Sequence, residues 1–362
     1  AMPAGCRFAE RCPQAMPVCR STSPGWRELS PNHRVRCHWQ GQVALATPVA
    51  STPAEAAVIQ APLLAVDALK VHFPIRKGLL QRTVGHVRAV DGVSLAISPG
   101  QTLALVGESG CGKSTIAKAL VGLAPHSGRI EIAGQALAGL DAPGQKAMRR
   151  KVQMVFQDPM AALNPRMRVG ELIAEPLLIH GIGDAASQRA RAADLMARVG
   201  LEASQLDRYP HEFSGGQRQR ICVARALALQ PDLIIADESV SALDVSVQAR
   251  VLGLLRALQA EFGMSYLFIS HDMAVVDNIS DRVGVMYLGQ IVELGTRVQI
   301  FGNPQHPYTR RLIDAVPVPD PAHQRAAAPR LAGEVPSPLH APGSGPPRVR
   351  LVDIGGGHLV GQ

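Results

Sequence analysis

The chain has 362 residues, 46% of them hydrophobic and 18% charged, with a formal net charge of +8 at pH 7. That length suits two or three domains, or one large domain with appendages, and the apolar content is enough to bury a core. No run of about 18 apolar residues occurs, which excludes a bilayer-spanning helix, and with only 4% aromatics there is no basic–aromatic platform of the kind that binds nucleic acid.

Residues 1–40 stand apart. They hold Cys6, Cys12, Cys19 and Cys37, four of the six cysteines, and six arginines against Glu10 and Glu28. In a reducing cytosol such density favours ligation over disulfides. The spacing lacks the close pairs of a zinc finger. Four thiolates suit an iron–sulfur cluster, and zinc or unligated thiols stay open as alternatives. His33 and His38 read as surface residues beside a basic patch. Residues 41–62, mainly Ala, Val, Pro, Thr and Gln, read as a linker.

From Leu63 the pattern is globular. Leu63–Ile75 and Val87–Ile97 alternate as strands, with Ser98-Pro99-Gly100 as a turn. Phe73 sits at a strand end, where its ring could stack on adenine or pack in a core. Thr102–Val106 is short and apolar, a buried strand. Gly107-Glu108-Ser109-Gly110-Cys111-Gly112-Lys113-Ser114-Thr115 follows, and then a helix former, Ile116–Leu120. Strand, glycine loop and helix together make a phosphate site: glycines let backbone N–H groups close on phosphate oxygens at a helix N-terminus. Lys113 would reach the β- and γ-phosphates, and Ser114 would hold Mg²⁺.

Gly128–Gly134 reads as a short hairpin, and Lys151–Phe156 as a strand delivering Gln157. Residues 160–212 are predicted mostly helical. Ser214 N-caps a helix after Ser214-Gly215-Gly216-Gln217, whose adjacent glycines make a second anion-binding helix end. Leu233–Ala236 is a buried strand ending in Asp237-Glu238, carboxylates placed for Mg²⁺ and water chemistry. Ser241-Ala242-Leu243-Asp244 turns into a helix closed by Gly263. Tyr266–Ile269 is another strand with His271 past its tip. Repeated strand–loop–helix units give a mainly parallel sheet with helices on both faces. Arg282–Val292 reads as a hairpin around Gly289, Phe301–Thr309 as a proline-broken loop, and the chain beyond Pro317 as extended or poorly packed.

From about Leu63 to Pro319 these pieces resemble the nucleotide-binding subunit of an ABC transporter. GESGCGKST is similar to its Walker A loop, Gln157 to the Q-loop and Ser214–Gln217 to the signature. LIIADE resembles Walker B, SALD the D-loop, and His271 the switch histidine. Phe213 stands where the family more often has Leu, and Ser239-Val240 where it often has Pro-Thr. NPQHPYTRRL is similar to the region after the ATPase core of di- and oligopeptide or nickel importers. HEFSGGQRQR, ADESVSALDVS and YLFISHDMAVV resemble the second half of the tandem ATPases of glutathione importers. GCRFAERCPQAMPVC is similar to the cysteine tail that ends a peptide-importer ATPase, where four cysteines can hold a [4Fe–4S] cluster. Here that tail comes first. The expectation is therefore the second half of a tandem ATPase begun inside the first module's tail, with a natural N-terminal appendage as the alternative.

The resemblance implies an α/β P-loop NTPase of the ABC type. It would have a mainly parallel sheet, a small antiparallel N-terminal β subdomain and a helical signature subdomain at about 158–229, within an ATPase domain at 63–318 followed by a Pro/Gly-rich tail at 319–362. It implies ATP and Mg²⁺ as cofactors. Mg²⁺ would be held by Ser114 and Gln157 with Asp237 nearby, Glu238 would act as base, and His271 as a sensor of the γ-phosphate. Ser214–Gln217 and Asp244 would act on ATP held by a second ATPase module. The other implied partners are two membrane permease subunits and, indirectly, a periplasmic substrate-binding protein, at the cytoplasmic face of a bacterial inner membrane. Glutathione or di- and oligopeptides would be the cargo. The rival readings are an ABC ATPase acting on nucleic acid or ribosomes, and a redox-regulated iron–sulfur ATPase.

Overall fold

The computed structural model describes residues 5–7, 9, 12, 14–30, 33–39, 61–78, 82–241, 243–316, 339–340 and 344–362. The expected linker falls outside them except at its last two positions. Contacts divide the chain into two units, Ala1–Val58 and Ile59–Gln362.

In the first unit, α1 (Pro17–Ser21) precedes an antiparallel hairpin of β1 (Trp26–Ser30) and β2 (His33–Arg36). The Cys6 N–H donates to the Cys19 carbonyl at 2.7 Å, which ties the chain start to α1. Arg36 lies over the Trp26 ring.

The second unit opens with two long strands, β3 (Leu64–Lys77) and β4 (Arg82–Ile97). Leu64, Val66, Leu69 and Val71 face inward from β3, as do Val90, Val93, Leu95 and Ile97 from β4. β5 (Thr102–Val106) is buried at every position and runs into the glycine loop and α2 (Lys113–Leu120). β6 (Ser127–Ile132) and β7 (Gln135–Ala136) form the expected hairpin; α3 (Ala142–Lys151) and β8 (Val152–Val155) follow.

Four helices come next: α4 (Pro159–Ala162), α5 (Val169–His180), α6 (Ala185–Arg198) and α7 (Gly215–Leu227). They share a core that includes Leu172, Ile173, Leu195, Met196 and Ile221. Phe213 and Val240, two of the three departures from the family's usual residues, are buried in the same core, so they act in packing, and Ser239 is buried beside Val240. The chain then alternates β9 (Leu233–Asp237), α8 (Val245–Phe262), β10 (Ser265–Ile269), α9 (Met273–Ile279), β11 (Arg282–Tyr287) and β12 (Gln290–Thr296). α10 (Arg297–Gly302), α11 (Pro307–Asp314), β13 (Leu339–His340), β14 (Leu351–Asp353) and β15 (Leu359–Gly361) complete it.

Two sheets result. The main one runs β14-β15-β12-β11-β5-β10-β9-β8, and β11 through β8 are parallel. Its central strands are buried at every position and mainly apolar because helices cover both faces. The other, β13-β4-β3-β6-β7, is antiparallel. This is the expected α/β architecture with its antiparallel and helical parts.

Two local expectations change. The loop at 301–309 contains a helix start: Pro307 stands at the first turn of α11, where a missing N–H costs nothing, and His306 caps it. The last residues, expected to pack poorly, add β14 and β15 to the main sheet. The tail is held because polar groups on β12 reach it. Gln290 donates to the Pro347 carbonyl and accepts from the Val349 N–H, and Glu293 pairs with His358 at 2.8 Å.

Candidate functional site

The parallel strands all deliver their C-terminal ends to one edge of the sheet. β5 gives the glycine loop, β8 leads to Gln157, β9 to Asp237 and Glu238, and β10 to His271. In open α/β sheets that edge is where ligands bind.

The loop conformation depends on its glycines. Gly107 (φ 149°) and Gly112 (φ 107°) occupy backbone regions that side chains disfavour, and a Cβ at either would collide with a carbonyl, that of Met286 or of Ala89. Gly112 caps α2, directing the helix N-terminus into the loop. Lys113, only 4% exposed, curls back: Nζ donates to the carbonyls of Gly107 and Glu108, both at 2.8 Å, and lies 3.5 Å from Cys111 Sγ. Burial pushes the Cys111 thiol up despite this neighbour, so it stays a neutral packing group. Glu108, Ser109 and Gly110 are exposed at the loop's crest, with Thr115 half-buried behind them in α2.

Across from the loop, Ser114 Oγ donates to Asp237 Oδ1 at 2.9 Å. Burial, with Glu238 adding to it, holds the Asp237 carboxyl above the usual range; the Ser114 bond and Lys118 and Lys113 pull the other way. Glu238 is bound from two sides: Gln157 Nε2 donates to one carboxylate oxygen at 2.7 Å, and His271 Nδ1 lies 3.3 Å from the other. Its backbone is left-handed (φ 45°), an uncommon state for a non-glycine residue. The Glu238 N–H donates to the Ile269 carbonyl at 2.9 Å, and Ser241 Oγ donates to the Glu238 carbonyl at 2.9 Å, which fixes that state.

Ser214 and Gln217 form a reciprocal capping box at the start of α7. Asp244 caps α8 by accepting from the Val247 N–H and the Ser246 hydroxyl, and these bonds hold its carboxyl below the usual range. The two helix starts abut, since a Cβ on Gly216 would strike the Val247 side chain. Gly215 is exposed between them. The signature and Asp244 therefore form one surface. Phe73 is 39% exposed on β3 and pairs with Val87, two residues before the Ala89 carbonyl that abuts Gly112. Its ring is a surface group near the loop, not a core one.

The cysteines of the first unit behave otherwise. Cys6, Cys12, Cys19 and Cys37 are free thiols, and among the described residues no three Cys, His, Asp or Glu side chains gather as metal ligands. Cys19 is buried on α1 while the other three are partly exposed. The four thiols of the iron–sulfur expectation are thus not gathered as one ligand set among the described residues.

Two residues at the site carried no assigned role in the sequence reading. Tyr308 accepts the Glu108 N–H at 3.0 Å, and Glu293 anchors the turn before α11. An aromatic in a proline-broken loop and a Glu inside an apolar strand were the only signals.

Over residues 90–241 the chain matches the ABC transporter family. Residues 1–19 and 292–346 match the C-terminal region of oligopeptide/dipeptide transporters. The glutathione import ATP-binding protein of Pectobacterium atrosepticum is 53% identical over 300 residues, 83% of this chain and 48% of that protein. The matched core of this chain, residues 90–241, is an ABC transporter domain. The homologous protein of Escherichia coli K12 is also 53% identical, over 302 residues and the same shares. This ABC chain thus spans about half the length of the curated relatives it matches. Among solved structures, the ATP-binding cassette MJ0796, in a dimeric post-hydrolysis state bound to ADP and Pi, aligns at 27% identity with a TM-score of 0.57, covering 65% of this chain and 98% of its own. cbiO1 from Clostridium perfringens, part of the cbiONQ ABC transporter complex, aligns at 26% identity with a TM-score of 0.55, covering 66% and 92%.

Proposed function

We propose that the chain is the ATP-binding subunit of an ABC importer, hydrolysing MgATP to drive uptake of glutathione or di- and oligopeptides through separate membrane subunits. The observation that carries this reading is one carboxylate, Glu238, facing both Gln157 and His271 beside the Ser114–Asp237 pair.

Lys113 and the loop amides bind and orient the β- and γ-phosphates. The Ser114 hydroxyl, the Gln157 carbonyl oxygen and the Asp237 carboxylate are a hard oxygen set that fits Mg²⁺. Mg²⁺ supplies charge neutralisation on the phosphate oxygens. Glu238 accepts a hydrogen bond from the attacking water and polarises it. His271 exchanges its Glu238 contact for the γ-phosphate and so registers its departure. Phe73 offers its ring to the adenine. Ser214–Gln217 and Asp244 serve the ATP of a second module, so one chain holds half of each composite site.

Among the described residues no helix is long and apolar enough to cross a membrane. A groove of about 620 Å³ beside the Gln157 segment, lined by Val121, Phe156, Pro176, Ile179 and Cys222 among others, suits a helix of a permease subunit. This groove supports a peripheral position against permease subunits at the cytoplasmic face of the inner membrane. The cargo class follows the relatives' glutathione import and the match to peptide transporters.

The test is uptake of labelled glutathione by cells carrying the chain with its own membrane subunits. Uptake should stop with Lys113→Ala, and excess dipeptide should compete if cargo is shared. Undiminished uptake with that variant contradicts the reading.

A further inference from the structure

One peptide group of the phosphate loop is gripped by both edges. The Gly107 carbonyl accepts Lys113 Nζ at 2.8 Å, and the Glu108 N–H of the same peptide donates to Tyr308 Oη at 3.0 Å. A trans peptide is planar and points these two groups to opposite sides, so the lysine and the tyrosine clamp it between them. Two hundred residues of sequence separate Glu108 from Tyr308. The clamp is therefore supplied from outside the loop, by the helix that follows the ATPase strands.

Tyr308 is itself firmly placed. It is 9% exposed, and its ring packs on Tyr287 at the end of β11, with centroids 4.5 Å apart. The turn entering α11 hangs on Glu293, which is fully buried. One Glu293 oxygen accepts the Gln305 N–H at 2.8 Å and His358 Nε2 at 2.8 Å, and the other accepts the His306 N–H at 3.0 Å. A run of contacts thus leads from the C-terminal strands through Glu293 and α11 to the loop.

We propose that Tyr308 is a positioning residue for nucleotide binding: its hydroxyl fixes the Gly107–Glu108 peptide and, through the Gly107 carbonyl, the seat of Lys113. The proposal rests on the loop being the MgATP site. Without the hydroxyl that peptide gains rotational freedom, because Gly107 already tolerates backbone conformations closed to other residues. The Lys113 ammonium then keeps only the Glu108 carbonyl as a fixed seat, and nucleotide binding has to order the loop first.

The experiment is a calorimetric MgATP titration of the full chain as wild type, Tyr308→Phe and Lys113→Ala, with thermal melts and amide exchange of Glu108 read by NMR. Tyr308→Phe should weaken MgATP binding about 3- to 10-fold, the range of one lost hydrogen bond, with an almost unchanged melting temperature and a faster-exchanging Glu108 amide. In the wild type that amide should exchange much more slowly than that of exposed Ser109. Equal affinity of Tyr308→Phe and a wild type that binds overturns the clamp and leaves the ATP reading intact. So does a wild-type Glu108 amide that exchanges as fast as that of Ser109. A wild type that binds MgATP no better than Lys113→Ala overturns the ATP reading, and the clamp with it.

Discussion

Ser114 and Asp237 meet through a 2.9 Å hydrogen bond across the cleft between the phosphate loop and the end of β9. The Asp237 carboxyl is only 4% exposed, and burial raises its pKa. A raised acid binds protons more readily folded than unfolded, so its ionised form destabilises the fold at neutral pH, and this cost disappears as pH falls toward the ordinary value of 3.8. Asp237→Asn should therefore stabilise the nucleotide-free chain at about pH 8 by about 1 kcal/mol, or ~2 °C, with the gain vanishing near pH 4. The same variant should lose Mg²⁺-dependent nucleotide binding. Melting curves at several pH values, with and without MgATP, check both parts.

Glu238 is expected to do chemistry rather than hold the fold. Glu238→Gln keeps the shape and a hydrogen-bonding partner for Gln157 but removes the charge. Nucleotide binding should persist, while hydrolysis in the presence of a competent partner module should drop by about 10²- to 10⁴-fold. ATP should then hold the pair together in size-exclusion chromatography. Ordinary turnover by this variant would remove Glu238 from the role of base.

Lys113→Ala takes away the ammonium lying against Gly107 and Glu108. MgATP affinity should fall by at least about 10-fold, the order of one charge-assisted interaction, and turnover should fall with it. Binding of a fluorescent nucleotide analogue and a phosphate-release assay measure the two separately.

Glu293 sets a different pH dependence. Burial works to raise its carboxyl, but the adjacent Thr309 hydroxyl, the Gln305 and His306 amides and His358 together outweigh it, so the folded pKa lies below 4.5. Its stabilisation is therefore present above that value and fades as pH falls through the folded pKa. Glu293→Gln should cost about 2–3 kcal/mol at neutral pH and distinctly less near pH 3. Urea denaturation at the two pH values gives the difference, and hydrogen exchange should show β15 opening first.

Much of the site could be read from the sequence because the chemistry there is local. A glycine loop between an apolar strand and a helix has few other uses, and Asp237-Glu238 after Leu233–Ala236 places two carboxylates at a strand end whatever surrounds them. Packing partners were not readable in the same way. That Tyr308 meets Glu108 depends on how α11 folds back over β11, which no periodicity encodes. Pro307 looked like a breaker because proline interrupts a helix interior, yet at the first turn it starts one. Leu351–Asp353 and Leu359–Gly361 are too short and too rich in nearby glycine to read as strands without β12 beside them. The four early cysteines are a case where composition says little about arrangement: Cys19 is buried on α1 while Cys6, Cys12 and Cys37 are partly exposed.

The pairing of Glu293 and Leu294 with Val360 and Leu359 has a further consequence. Without β15, β12 would present a row of unpaired amides and carbonyls along an apolar strand, the kind of margin on which foreign chains assemble. The tail covers that margin and leaves as the outermost ribbon only β14, three residues long. A version of the protein trimmed before Leu351 should thus reveal its defect first as clumping during expression, before any loss of nucleotide chemistry is noticed.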